Sequence, residues 1–268
     1  MGKIVGVEEI RAESWAHLHE LLFADSWHET LNRHRSDYVF RGEASGSTSL
    51  VTSLQRLGGE YGDVERHLLR SFRKYAERDA VPADELWQWL ALAKHHGLAT
   101  RMLDWTYSPY VALHFATARA NEFDQDGLIW MVNFVETNKL LPKKLRSALD
   151  LEGMNAMSAD LLTEVAPSLP DFDRLGEDFV VFFEPPALDE RIVNQYALFS
   201  VMPSPQARMD KWLEERPDLA RRIVLPTELK WEVRDKLDQA NITERVLFPG
   251  LDGLATWLRR YFSPRLAG

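Results

Sequence analysis

Gly127-Leu-Ile-Trp-Met-Val-Asn-Phe-Val135 is nearly all apolar. A run of that length without polar alternation reads as a strand covered on both faces. Downstream of it, Phe179-Val-Val-Phe-Phe183, Arg191 to Met202 and Arg222-Ile-Val-Leu225 read as three further strands. Lys139 to Asp173 is polar and irregular, as small helices with a flexible excursion would be. Two helices close the chain, with Thr227 and Asp252 expected as their caps. Upstream the pattern is helical. Ile10, Trp15, Leu18 and Leu22 fall near helical spacing, and so do Val64, Leu68, Phe72 and Tyr75. Pro82 to His96 is the clearest helix, with Leu86, Trp89, Leu90 and Ala93 on one face and Gly97 just past its end. Ser108-Pro109 opens another helix, expected to run through Ala120, as an N-cap followed by an N1 proline. Asp37 to Gly42 is a short strand within this helical half, and Leu98 to Trp105 is a strand or extended loop. Helices first and strands later favour α+β over alternating α/β. The expectation is a helical first half packed on a mixed, mainly antiparallel sheet. No repeat or linker is visible, so residues 1–268 are read as one domain, with a helical part over 1–36 and a core over 37–260.

Composition narrows the function. The chain has 268 residues, 45% hydrophobic and 27% charged, close to soluble globular averages. It contains no cysteine, which excludes disulfide scaffolds, thiolate-ligated zinc, iron–sulfur clusters and thiol nucleophiles. The net charge of −9 argues against general nucleic-acid binding. No apolar run approaches the roughly 20 residues of a membrane helix, so no membrane partner is expected. The start of the chain lacks the apolar stretch of a signal peptide, so the expected location is cytoplasmic. Glycine-rich nucleotide loops and the GxSxG elbow are absent from the sequence.

Three constellations carry polar groups that packing alone does not require. Phe40-Arg41-Gly42 puts a rigid fork of donors at a strand end, beside a glycine that lets a backbone or a ligand come close. The plain alternative is an arginine paired with a structural acid. His95-His96-Gly97-Leu-Ala-Thr100-Arg101-Met-Leu-Asp104-Trp105 is dense in functional groups. Its two adjacent histidines point about 100° apart on a helix, which makes a poor metal site. Glu190-Arg191-Ile-Val-Asn-Gln195 is read as strand, with Arg191, Val193 and Gln195 on one face. Buried there, the arginine and glutamine need partners: a ligand, or acids such as Asp104 and Glu43.

Together these stretches resemble the FRG domain family, whose name is the Phe-Arg-Gly motif. The second constellation is similar to the family's Gln-His-His-Gly-Leu-Pro-Thr-Arg-Leu-Leu-Asp-Trp-Thr. Here Lys94 stands for glutamine and Ala99 for proline. The resemblance continues through Ser108-Pro109, Arg191 to Phe199, with Ala197 where glycine is usual, and Leu247 to Gly253. It covers roughly residues 37–260.

A more distant resemblance is to arginine-class ADP-ribosyltransferases. It implies an ADP-ribosyltransferase-like fold and use of NAD as a substrate to modify a macromolecule, protein or nucleic acid, with no metal. The family's association with phage conflict adds a toxin or anti-phage setting. The implied catalytic residues are Arg41, His96, Thr100, Glu190 and Gln195. The implied NAD-binding residues are Arg41, Gly42, His95, Arg101, Asp104, Trp105 and Arg191. Trp105 or Tyr107 would stack on nicotinamide. The class acid corresponds to Glu190, or is replaced by Arg191 or Gln195. Arg41, Thr100, Arg101 and Gln195 are then expected to converge on one cleft. Two other readings stand beside this one. One is a non-catalytic module whose motifs form a buried polar network. The other is a metal-assisted nuclease using His95, His96, Asp104 and Glu43.

Overall fold

The computed structural model describes residues 6–46, 49–58, 61–76, 80–81 and 84–264. The expected place of Pro82 early in a helix lies outside these residues. Ten strands are found among them. They are β1 (Glu8–Arg11), β2 (Trp27–His28), β3 (Arg33–His34), β4 (Tyr38–Glu43) and β5 (Leu103–Thr106), followed by β6 (Gly127–Asn133), β7 (Met157–Ser158), β8 (Val181–Glu184), β9 (Ala197–Val201) and β10 (Ala220–Leu225). The pair β2 and β3 forms a separate small hairpin. The other eight make one sheet in the order β1-β10-β6-β4-β5-β9-β8-β7. β1–β10 and β7–β8 are parallel and the remaining pairs antiparallel. The fold is therefore α+β on a mixed, mainly antiparallel sheet. Its strands come from both halves of the chain rather than from the second alone.

β6 lies inside the sheet, between β10 and β4, and six of its seven residues are buried. Its continuous apolar run follows from cover on both faces. One face packs under α1 (Trp15–Phe23), α5 (Pro109–Ala116) and α12 (Thr227–Gln239), with Phe40, Ile129, Met131 and Ile223 meeting Leu18, Leu113 and Val233. The opposite face carries Val39, Trp130, Val132, Leu103, Trp105 and Phe182, covered by Trp212 and Leu213 of α11 (Met209–Glu214). A third cluster lies under the far strands. It unites α3 (Tyr61–Tyr75), α4 (Leu86–His95), α7 (Lys143–Glu152), α8 (Ala159–Val165) and α9 (Leu169–Asp173) around Trp87, Phe172 and Phe183. Short helices α2 (Ser53–Leu57), α6 (Phe134–Asn138), α10 (Glu190–Asn194) and α13 (Glu244–Leu247) fill the joins, and α14 (Leu251–Tyr261) ends the described chain.

Several local expectations are revised. Ile10 belongs to β1, not to the first helix. Arg191 to Met202 is not one strand. Asp189 accepts a hydrogen bond from the Arg191 N–H and starts α10, and β9 begins only at Ala197 after Tyr196 at φ 48°. That N-cap outcompetes the period-2 reading of Arg191, Val193 and Gln195. α5 stops at Ala116, short of Ala120, where the Thr117 hydroxyl donates to the Leu113 carbonyl. Pro226 and Gly250 precede α12 and α14, so Thr227 lies within its helix, at the first position, and Asp252 at the second. Ser108 does cap α5, accepting from the Val111 N–H.

Candidate functional site

The Phe-Arg-Gly stretch is the end of β4, and strand alternation separates its three residues. Phe40 and Gly42 face α5, and Arg41 faces away. An added Cβ on Gly42 would lie 1.8 Å from the Ala112 carbonyl oxygen. The close approach permitted by this glycine is that of the α5 backbone, not of a ligand. β4 pairs β5 at Phe40–Thr106 only. Beyond that point Arg41 bridges the two strands itself: Nη1 donates to the Asp104 carbonyl at 2.8 Å and Nε to Glu43 Oε1 at 2.7 Å. The Asp104 carboxylate lies 3.8 Å from Arg41 Nη1 and 2.5 Å from Lys94 Nζ. Lys94 and Arg41 hold the half-exposed Asp104 carboxylate below its ordinary pKa.

α4 ends at His95, and Gly97, at φ 86°, reverses the chain; the Leu98 N–H bonds back to the Ala93 carbonyl. That turn sends Thr100 and Arg101 inward. Thr100 is fully buried, with its N–H on Ser53 Oγ and its carbonyl accepting from the Leu54 N–H. Arg101 donates from Nε to Glu65 (2.6 Å) and from Nη1 to Asp173 (2.6 Å) and the Pro203 carbonyl (2.7 Å). The expected cleft uniting Arg41, Thr100, Arg101 and Gln195 is not formed. The loop after Gly97 turns two of them into the interior, where acids from α3 and α9 satisfy the arginine. Trp105 is buried with its indole N–H on Ser200 Oγ, so it has no open face for a nicotinamide ring. Gln195 donates its amide to the Leu247 carbonyl, and its own carbonyl accepts from the Thr106 hydroxyl. Its amide docks α13 rather than pointing to solvent.

Two stretches do meet. His95 Nε2 lies 3.4 Å and His96 Nε2 3.8 Å from the two carboxylate oxygens of Asp189. Arg191, from the same short helix, donates weakly to the His95 carbonyl at 3.3 Å and lies 4.6 Å from the Phe248 ring centroid. Its Nε is buried and has no hydrogen-bond partner, and no carboxylate among the described residues forms an ion pair with it. Burial lowers the Arg191 pKa, against the fields of Asp104 and Asp189. Burial, then the Arg191 charge, lowers His95, which is therefore a neutral imidazole at pH 7. His96 is half exposed and Glu190 is exposed at the first turn of α10.

The face thus holds three cations, Arg41, Lys94 and Arg191, and three carboxylates, Glu43, Asp104 and Asp189. Of these three cations, Arg191 has no direct counter-charge among the described residues. Among the described residues no group of three histidines or acids is placed to hold a metal ion. Sequence reasoning missed Asp189 and Glu65. Asp189 shows an N-cap signature after Pro185-Pro186. Glu65 is the lone acid on the stripe of Leu69 and Phe72, a position that demands a buried cation.

Residues 36–125 match the FRG domain family model, a stretch that holds β4, α4, β5 and α5. No curated protein matches the chain, and no solved structure does. No helix among the described residues is long and apolar enough to cross a membrane.

Proposed function

From the FRG domain that this chain carries over residues 36–125, we propose that the face joining α4 to α10 recognises the phosphates of a nucleotide. The first donor to test is NAD, in an ADP-ribosyltransferase-like transfer to a macromolecular acceptor. The observation that carries this reading is Arg191: a half-buried guanidinium with a buried N–H that has no hydrogen-bond partner and no ion pair among the described residues, on the short helix whose Asp189 cap both imidazoles approach. A phosphate would satisfy that fork. His96, exposed and 3.8 Å from Asp189, would donate to a second phosphate oxygen. In the transfer the nicotinamide–ribose bond breaks and its electron pair leaves with neutral nicotinamide. The acceptor then bonds to the ribose carbon and loses a proton. Positive charge on the ribose grows in the transition state, where Glu190, exposed on α10, would oppose it. Thr100, Arg101, Trp105 and Gln195 have no part in this reading, because their polar groups are engaged in the interior.

A second reading is favoured by the sealed Arg101–Glu65–Asp173 group: a non-catalytic module whose motifs build the fold. One titration separates the two. NAD, ADP-ribose and inorganic pyrophosphate are added in a calorimeter to the wild type and to Arg191→Ala. Heat with all three ligands, weakened on the order of 10- to 100-fold by the substitution, supports phosphate recognition. Labelled NAD in a cell lysate must then mark a macromolecule with the wild type and not with Glu190→Gln. No heat at millimolar NAD and no label removes the enzyme reading and leaves the module.

A further inference from the structure

A positive surface of this acidic chain lies away from the motif face, on α3. The helix has two distinct stripes at i, i+4 and i+7. Glu65, Leu69 and Phe72 turn inward, and Arg66, Arg70 and Arg73 lie one position round toward solvent. With Lys74 they place four exposed cations against one exposed acid of the helix, Asp63. Arg66 pairs with Asp63, and Arg73 with Asp84 at 2.6 Å. Arg70 has no ion pair among the described residues, although the chain carries an excess of acids.

These arginines line a groove of about 340 Å³, at the small end of ligand-sized clefts. Its floor is aliphatic, from Leu69, Leu86, Leu169 and Pro170. We infer that the groove docks an acidic amphipathic segment of a partner protein, with aliphatic anchors on the floor and carboxylates on the arginine rim. Nucleic acid fits less well. Its bases stack on aromatic rings, and none lines the groove. The net charge of −9 also opposes a polyanion over the rest of the surface. A short acidic peptide needs only the local field. The inner face of the same helix holds Arg101 through Glu65, so a partner on the outer face would bear on a helix anchored to the motif loop.

The test uses a fluorescein-labelled helical peptide with leucines at i and i+4 on one face and glutamates flanking them, read by anisotropy on the full chain. The peptide should bind, weaken as salt rises, and be lost when its glutamates are changed to lysine or its leucines to serine. Arg70→Glu and Pro170→Asp are both exposed substitutions. Each should weaken binding about tenfold or more with the circular dichroism spectrum unchanged. Absence of binding at millimolar peptide overturns the inference. So does binding that Arg70→Glu and Pro170→Asp leave intact, or tighter binding of a duplex oligonucleotide at the same site. Arg70 is remote in sequence from Arg191 and shares no contact with it, so the peptide result stands whichever way the NAD titration falls.

Discussion

Gly42 and Arg101 show how one motif residue serves the fold and another seals it. Gly42→Ala would drive a Cβ into the α5 backbone, with the Ala112 carbonyl oxygen at 1.8 Å and the Ala116 nitrogen at 2.8 Å. Backbone cannot step aside as a flexible side chain can. The expected cost is about 3 kcal/mol or more, read as a fall in denaturation midpoint without a change in slope. Arg101 and Glu65 are almost wholly buried, with side-chain exposures of 4% and 1%. Arg101→Met strands the buried Glu65 carboxylate and should lose about 3–5 kcal/mol, whereas Glu65→Leu, which leaves Arg101 its Asp173 pair, should lose less. The double variant should recover most of that loss in a thermodynamic cycle. A double variant as unstable as the sum of the singles would refute the pairing. Arg191→Ala should cost far less stability, because one weak hydrogen bond and a ring contact are all that it gives up.

The C-terminal helices are tied to α5 by a buried polar clasp. Arg260 bonds Asp238 and Glu244 with four contacts between 2.6 and 2.7 Å. Arg234, fully buried, donates to His114 Nδ1 at 2.9 Å and to the Ile242 carbonyl at 2.6 Å. Arginine has no acceptor, so His114 must offer a bare Nδ1 and is neutral. Burial, with the Arg234 charge beside it, pushes the His114 pKa down from 6.5 to about 3. Burial works against the Glu244 carboxylate, but the Arg260 hydrogen bonds win and lower its pKa from 4.5 to about 2. Between pH 6.5 and 3 the unfolded chain takes up a proton that folded His114 refuses. Between 4.5 and 2 the same holds for Glu244. Both terms make stability fall as pH falls, and both are fully present above pH 6.5. Denaturation midpoints measured from pH 7.5 to 4 should therefore decline, and His114→Gln should flatten the upper part of that decline. An unchanged slope in that variant would show that other groups carry it.

At the scale of the molecule, the sheet decides cooperativity. Its order sets strands distant in sequence side by side: β1 beside β10, β10 beside β6, and β5 beside β9. Neither half can keep its strands paired without the other. A single calorimetric transition is expected, with calorimetric and van't Hoff enthalpies equal. Two separated transitions would mean that the third core, around Trp87 and Phe183, melts by itself. The mainly antiparallel order also explains why the helical half was readable and the sheet only partly so. Helix faces repeat locally at 3.6 residues. Strand neighbours such as β5 and β9 are set by contacts nearly a hundred residues apart.

Local chemistry determined a good deal. The apolar run of β6, the Ser108 cap, the Gly97 turn and the α+β class follow from residues acting on near neighbours, where capping and burial leave little choice. The motifs within residues 36–125, which match the FRG domain family model, were legible for the same reason, as fixed strings. What the string could not say was where each polar group points. Thr100 and Arg101 sit inside an unbroken motif, yet Glu65 and Asp173, supplied by α3 and α9, draw them into the interior. Arg191 keeps no ion pair among the described residues because the Asp189 cap coils its segment into a helix beside His95. A buried charge goes to whichever counter-charge the packing brings within reach, and only the assembled fold brings those groups together.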